Sequence, residues 1–427
     1  MNAPTIRPAA SKKLDTNWVR AQFPSLKVSV NGQPAAFLDA PAGTQVPQRV
    51  MDAFREYFET SNANTVGQFL TSRRTDEAIA GARTAMADFF NCTAEEVFFG
   101  PNMTTLTFAL ARGIGRDLRP GDEIVVTTLD HDGNVAPWRA LEDIGLVIRQ
   151  ADIHVEDCTL DMDDLRRKIN SRTKLVAAGY ASNAVGTINP VGEIVRLAHE
   201  AGALAFIDAV HYAPHGSIDV RALDCDFLAC SPYKFFGPHM GCIYGKRELL
   251  LKFRPYKVRP APAYLPDRWE TGTQIHEGLA GVTAAVDYLA DLGRHSDAAA
   301  PTSRRDALVS AYGAIREHEM ELATRMITGL VEIPGVRFYG ISDSARFSER
   351  CPTVGVRVKK LTPLACAKFL GDRGIFTWDG NYYALNLTER LGVEDTGGLL
   401  RIGLVHYNTA EEVDRLLAAM RELAASA

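Results

Sequence analysis

An α/β chain built on a mainly parallel sheet is what the sequence predicts, on three observations. Between about residues 95 and 245, short apolar runs alternate with helix-like stretches, the pattern of strand–helix–strand units with helices on both faces of a sheet. Each apolar run ends in a polar turn, where a parallel strand would leave the sheet. The composition, 46% hydrophobic and 23% charged over 427 residues, is that of a globular chain long enough for two or three domains.

In order along the chain, "FFGPNMTTLTFALARG" (98–113) predicts a strand turning into a helix, with Asn102, Met103 and Thr104 at the junction. "DEIVVTTLDHDG" (122–133) predicts a strand and a polar turn, and "NVAPWRALEDIG" (134–145) a helix. "KLVAAGYASNAVGTINP" (174–190) predicts a buried strand entering a Gly/Asn/Pro loop, and "VGEIVRLAHEAG" (191–202) a helix closed by its glycine. "ALAFIDAVHYAPHG" (203–216) predicts strand then loop, and "CDFLACSPYKFFG" (225–237) a strand and a short turn. The small, polar, proline-punctuated "ADLGRHSDAAAPTSRR" (290–305) predicts a loop or linker. A helical pattern over 307–333 and a further alternation of strand and helix predict a smaller α/β domain from roughly 305 to the end.

Composition narrows the function. No apolar run approaches the roughly 20 residues of a membrane helix, and the start, "MNAPTIRPAASKK", lacks the apolar stretch of a secretory signal, so a cytoplasmic protein is expected. The net charge is −5 and no block of Lys or Arg stands out, which argues against nucleic acid and for a small-molecule partner. Seven scattered cysteines (Cys92, Cys158, Cys225, Cys230, Cys242, Cys351, Cys366) form no C-x-x-C pair, against a disulfide framework or a structural zinc site.

Ligands of open parallel sheets bind beyond the carboxyl ends of the strands, so His131, Asn134, Asn183, Asp208 and Lys234, which end or follow these runs, converge on one crevice. Asp208 and Lys234 are the telling pair. An ammonium is costly to bury, so Lys234 either pairs with a carboxylate at a sheet edge or works as an amine. A Schiff-base amine and a carboxylate that keeps a pyridine nitrogen protonated are what pyridoxal phosphate (PLP) requires. The helix start at Asn102–Thr104 suits a phosphate, although Asn and Thr also cap helices for structural reasons alone. His131 suits stacking on an aromatic ligand. His211 and His215 stand four apart, but the proline between them argues against a shared helical face, and no metal is expected.

Together the segments "DHDGNVAPW", "SNAVGTINP", "DAVHYAPHG", "SPYKFFGPHMG", "RWETGTQ" and "RIGLVHYNTAEEV" resemble, in order, the class V aminotransferase family of fold-type I PLP enzymes, in its cysteine desulfurase and selenocysteine lyase branch. The resemblance runs from "FLDAPAGT" near 37 to "HYNTAEEVDRLL" near 406. It implies a large domain with a mainly parallel seven-stranded sheet at 31–290 and a small C-terminal α/β domain at 306–427. A linker at 291–305 and an N-terminal segment, 1–30, packing with the small domain complete the division. It further implies that Lys234 forms the Schiff base, Asp208 partners the pyridinium, His131 stacks on the ring, and Asn183 and His211 lie near the phenolic oxygen. His211 stands where desulfurases usually carry glutamine. Thr104 with the backbone around Met103, Ser231 and Tyr233 would hold the phosphate, Tyr233 replacing a usual histidine. Thr273 would reach the neighbouring subunit's phosphate in a homodimer, and Arg401 would bind the substrate carboxylate.

One segment departs from the family. Where desulfurases carry a nucleophilic cysteine, this chain has "GIFTWDGNYYALNL", with Tyr383 in the cysteine's place, Asn381 in a histidine's and Trp378 in the arginine's. A phenol cannot hold a persulfide as a thiolate does. The expected chemistry is therefore a β-elimination from an amino acid with a sulfur or similar leaving group. Lys234 takes the Cα proton, Tyr383 or Tyr382 protonates the leaving group, and Trp378 lines the substrate side. Transamination and epimerisation need the same Lys234, Asp208 and Arg401 and stand as alternatives. So does a non-catalytic PLP-binding dimer. A dehydrogenase is disfavoured because no G-x-G-x-x-G follows the first strand.

Overall fold

The apolar runs of the first half become one seven-stranded sheet in the computed structural model, which describes residues 13–297 and 299–426. Its strands are β1 (Val97–Gly100), β2 (Glu123–Thr127), β3 (Val147–Ala151), β4 (Thr173–Gly179), β5 (Leu204–Asp208), β6 (Phe227–Cys230) and β7 (Gly241–Gly245), in spatial order β1-β7-β6-β5-β4-β2-β3. Only β7 runs against its neighbours, so the sheet is mainly parallel, as expected.

Alternate residues feed two cores, the period-2 rule of a strand buried on both faces. Val125, Val176, Ile207 and Leu228 pack on one side with helices α1 (Leu70–Phe90) and, further along the chain, α4 (His276–Ser296) and the first half of α5 (Arg304–Val331). Ile124, Val126, Leu175, Phe206 and Phe227 pack on the other, under α2 (Met103–Gly115). Helix α3 (Val191–Glu200) adds Ile194 and Val195 to the first core. The expected helix over 134–145 is broken, with a helical turn at Ala136–Arg139 followed by a 3-10 turn at Ala140–Ile144.

The later strands β8 (Val336–Tyr339), β9 (Thr353–Val358), β10 (Trp378–Gly380) and β11 (Leu399–Gly403) form an antiparallel sheet in the order β8-β9-β11-β10. Leu322, Met326 and Leu330 of α5, Leu370 of α6 (Pro363–Gly371) and Leu416 and Met420 of α7 (Ala410–Ala425) close its core. Residues 1–12 of the expected N-terminal segment lie outside the described residues. From the rest of it, Arg20 pairs with Glu412 at 2.9 Å, and Phe23 packs edge-on against Phe236, Tyr288 and Tyr407.

The stretch 290–305 differs from its loop reading. Helix α4 continues to Ser296, and only 297–303 separates it from α5. Gly293 explains this: a Cβ there would come within 1.8 Å of the Ala307 carbonyl, so the glycine lets the two helices cross closely. Packing outweighs the weak local propensity of "DLGRHS". Among the described residues no helix is long and apolar enough to cross a membrane.

Candidate active site

The carboxyl ends of β2, β4, β5 and β6 open onto a cavity of about 590 Å³, which the 378–383 segment and Arg401 close from the side of the second sheet. Asp208 is the last residue of β5, paired in parallel register with Gly179 and Ala229. Its Oδ1 accepts the Val210 N–H at 2.9 Å, which leaves Oδ2 for the cavity. Burial pushes this carboxyl up to about 6, against the opposing pull of Val210 and the Lys234 ammonium.

Lys234 ends a single 3-10 turn, Pro232–Lys234, that follows β6. Its Nζ donates to the Pro41 carbonyl at 2.6 Å. Burial, helped by the Arg401 charge and opposed by Asp208, brings the amine down to about 7. Ser231 precedes this turn and Tyr233 is its middle residue, the Tyr233 ring stacking on His239 with centroids 4.9 Å apart.

Helix α2 aims its N-terminus into the cavity through Asn102, Met103 and Thr104. The Asn102 side chain caps the Thr105 N–H at 2.8 Å, while the amides of Met103 and Thr104 belong to a first turn without intrahelical acceptors. Gly241 allows this approach, since a Cβ there would meet the Met103 nitrogen at 2.4 Å. The turn after β2 carries His131, whose Nδ1 accepts the Gly133 N–H at 2.9 Å. Burial and the charges of Lys234 and Arg401 take the imidazole down to about 4, so it is neutral near pH 7.

Arg401, buried on β11, donates through Nη1 to the Asn183 carbonyl at 3.0 Å and lies 4.1 Å from the Tyr382 ring centre. Its Nε and the Asn183 Oδ1 are buried without a hydrogen-bond partner among the described residues. Buried polar groups are rarely left so, and both residues line the cavity, as does His211. A buried amine, a buried carboxylate, a helix N-terminus and two orphaned polar atoms together fit PLP and the carboxylate of an amino acid.

Tyr382 and Tyr383 both adopt left-handed φ (57° and 60°), which bulky residues rarely do. The pair is fastened by Asn183 Nδ2 to the Tyr382 carbonyl at 2.9 Å and by the Asp132 N–H to the Tyr383 carbonyl at 2.6 Å. Tyr383 is 72% exposed and faces His131 with ring centroids 5.4 Å apart, beside the half-exposed Trp378. Tyr382 differs from its expected role as an alternative acid. It is buried, and its hydroxyl is committed to the carbonyls of Leu399 and of Trp378, the latter at 3.2 Å.

Two further expectations change, those for Asn134 and for the His211–His215 pair. Asn134 does not line the cavity; its Nδ2 donates at 3.0 Å to Oδ2 of Asp130, which does. Thr273 is exposed and lies outside the cavity of its own chain. The rings of His211 and His215 do meet, 5.4 Å apart and edge to face, because the Ala213 N–H bonds the Ala209 carbonyl and curls 209–215 into a helix-like turn despite Pro214. The sequence reading missed Asp130 and Asp39. Asp130 takes the Gly179 N–H at 2.8 Å and is raised to about 7, mainly by burial. Asp39 beside Arg401 is raised to about 6 by burial. Asp130 had one signal, its place directly before His131.

Known proteins resemble the chain over nearly its whole length. The family described as Aminotransferase class-V matches residues 36–312 and 310–416. A cysteine desulfurase of Dickeya dadantii is 33% identical over 422 residues, covering 95% of this chain and 96% of its own. The apo structure of a cysteine desulfurase from Thermococcus onnurineus has a TM-score of 0.86 at 28% identity, covering 98% of this chain and all of its own. A cysteine desulfurase from Escherichia coli, solved in its S-sulfonic acid form, has a TM-score of 0.81 at 26% identity, covering 96% and 98%. The chain belongs to the class V aminotransferase family of fold-type I PLP enzymes, as a cysteine desulfurase-like, PLP-dependent enzyme acting on an amino acid.

Proposed function

We propose that the enzyme is a carbon–sulfur β-lyase that releases a sulfur leaving group from the Cβ of an amino acid without passing the sulfur to a cysteine of its own. The observation that carries this reading is the cavity wall. There the 378–383 segment presents Trp378, Asn381 and Tyr383, and among the described residues no cysteine. Cys92 is half-buried and the other six cysteines are buried, and burial pushes all seven thiols up, away from the nucleophilic thiolate.

When bound, PLP supplies a sink for the electron pair left at the substrate Cα. Lys234 Nζ would hold the cofactor and is the amine placed to accept the Cα proton. An amine poised near 7 suits that exchange. Asp208 Oδ2 would hold a proton at the pyridine nitrogen, and the neutral His131 ring would stack on the cofactor. Arg401 takes the substrate carboxylate, while Asn183 and His211 stand by the phenolic oxygen. The Met103 and Thr104 amides with Ser231 and Tyr233 hold the phosphate, and Thr273 serves the partner's site in a homodimer. On this reading 31–290 is the cofactor-binding domain and 306–427 brings Arg401 and the aromatic segment to it. Tyr383 gives its hydroxyl proton to sulfur as the Cβ–S bond breaks with its electrons on sulfur. The released product then hydrolyses to a keto acid and ammonia. Trp378 and Tyr383 at the mouth favour an apolar group on that sulfur.

The test is product analysis of the PLP-loaded enzyme with cysteine and with S-alkyl- and S-arylcysteines. Equimolar pyruvate, ammonia and released sulfur are expected, the last as hydrogen sulfide from cysteine and as the free thiol from its S-substituted derivatives. Alanine with a protein persulfide would overturn the reading, and a keto acid matched by pyridoxamine phosphate would make the enzyme an aminotransferase. Tyr383→Phe is expected to lower kcat about 10²-fold for S-alkyl substrates, the typical worth of a general acid. It should have little effect on S-aryl substrates, whose thiolates depart unprotonated.

A further inference from the structure

Sharing His211 with the cavity, three donors of metal-binding type come together. A ligating atom from each of His211, His215 and Cys351 lies within 4.8 Å of the others, and all three residues are buried. His215 Nδ1 is bonded to Glu319 Oε2 at 2.8 Å, which turns its Nε2 toward the group. A carboxylate on the far nitrogen of a histidine is the usual outer support of a metal ligand. His211 Nε2 and Glu319 Oε1 have no hydrogen-bond partner among the described residues. A small cavity of about 10 Å³, room for a single water-sized body, touches His215, Glu319 and Cys351.

We propose that His211, His215 and Cys351 form a zinc(II) site, with Glu319 orienting His215 and a water in the fourth position. Two imidazoles and one thiolate are a donor set zinc accepts. A tetrahedral ion with bonds of about 2.0–2.3 Å places its donors about 3.3–3.8 Å apart, so the three draw in by roughly 1 Å on binding. Two negative groups meet the divalent ion, the Cys351 thiolate and the Glu319 carboxylate. Arg316 and Arg350, which also border the small cavity, are held by the carbonyls of Ser348 and of Ile341, Val185 and Thr353. Burial and the Glu319 carboxylate keep the Cys351 thiol protonated, against the pull of these two charges. Binding therefore releases one proton, from Cys351 to solvent. The ion clips the turn after β5 to the segment that enters β9, and it fixes the His211 ring.

The holoenzyme, stripped with a chelator and dialysed against buffered zinc(II), is expected to hold one zinc per chain by elemental analysis. Cobalt(II) in its place should give the visible bands of a tetrahedral ion. Affinity should rise about tenfold per pH unit near neutrality, following the single proton released. Cys351→Ser is expected to weaken binding at least about 100-fold and to erase the cobalt bands, with PLP absorbance retained. Glu319→Gln should weaken binding by about 10–100-fold, and it decides the matter if the serine variant fails to fold. Less than a tenth of an equivalent of zinc in the wild type, or equal binding by the wild type and the folded variants, overturns the site.

Discussion

Lys234→Ala is expected to lower turnover roughly 10³-fold, the scale of removing a positioned proton-transfer group, and to abolish covalent attachment of PLP. The amine is buried, its only hydrogen bond is to the Pro41 carbonyl, and no other lysine lines the cavity among the described residues. Borohydride reduction followed by peptide mapping should label the wild type at Lys234 and leave the variant unlabelled. A reducible adduct that persists in the variant would sink the assignment. The same amine sets the pH dependence of cofactor uptake. Only the free base attacks an aldehyde, and with the amine lowered to about 7 its free-base fraction grows about tenfold from pH 6 to pH 8. The rate at which apoprotein gains PLP absorbance should rise by that factor and level off above pH 8. A lysine at its ordinary value would keep climbing toward pH 10.

The cavity was legible because parallel strands export their ends to one rim. Asp208, Lys234, His131 and Asn183 could be placed together from the ends of four apolar runs. What escaped was set by packing between distant segments. Gly293 reads as a loop residue until Ala307 lies against it, and Pro214 reads as a break although the turn from Ala209 to Ala213 bypasses it. Asp39 carries no local mark at all: its place beside Arg401 is created by an isolated bridge from residue 39 to Gly403, hundreds of positions away. The hydroxyl of Tyr382 was indistinguishable in sequence from that of Tyr383, and only the fold turns one onto backbone carbonyls and leaves the other at the mouth.

Asp208→Asn is expected to separate two effects that move in opposite directions. Asparagine has the shape of aspartate, and its Oδ1 can still accept the Val210 N–H that fixes the side chain between β4 and β6. Only the charge is lost. Without it nothing holds a proton on the pyridine nitrogen, and kcat should fall about 10²–10³-fold, the typical cost of removing one preorganised electrostatic contact. Yet the Asp208 carboxylate also raises the Lys234 amine against burial and Arg401. Its removal should drop that amine below its present value of about 7, so the variant's apoprotein should take up PLP faster than the wild type at pH 6. Stopped-flow absorbance measures uptake, and steady-state assay of the loaded enzyme measures turnover. Faster uptake with crippled turnover assigns Asp208 to the chemistry. Faster uptake with unchanged turnover would leave it as the buried counter-charge of Lys234 and nothing more, the reading that the Asp208–Lys234 pair alone would equally support.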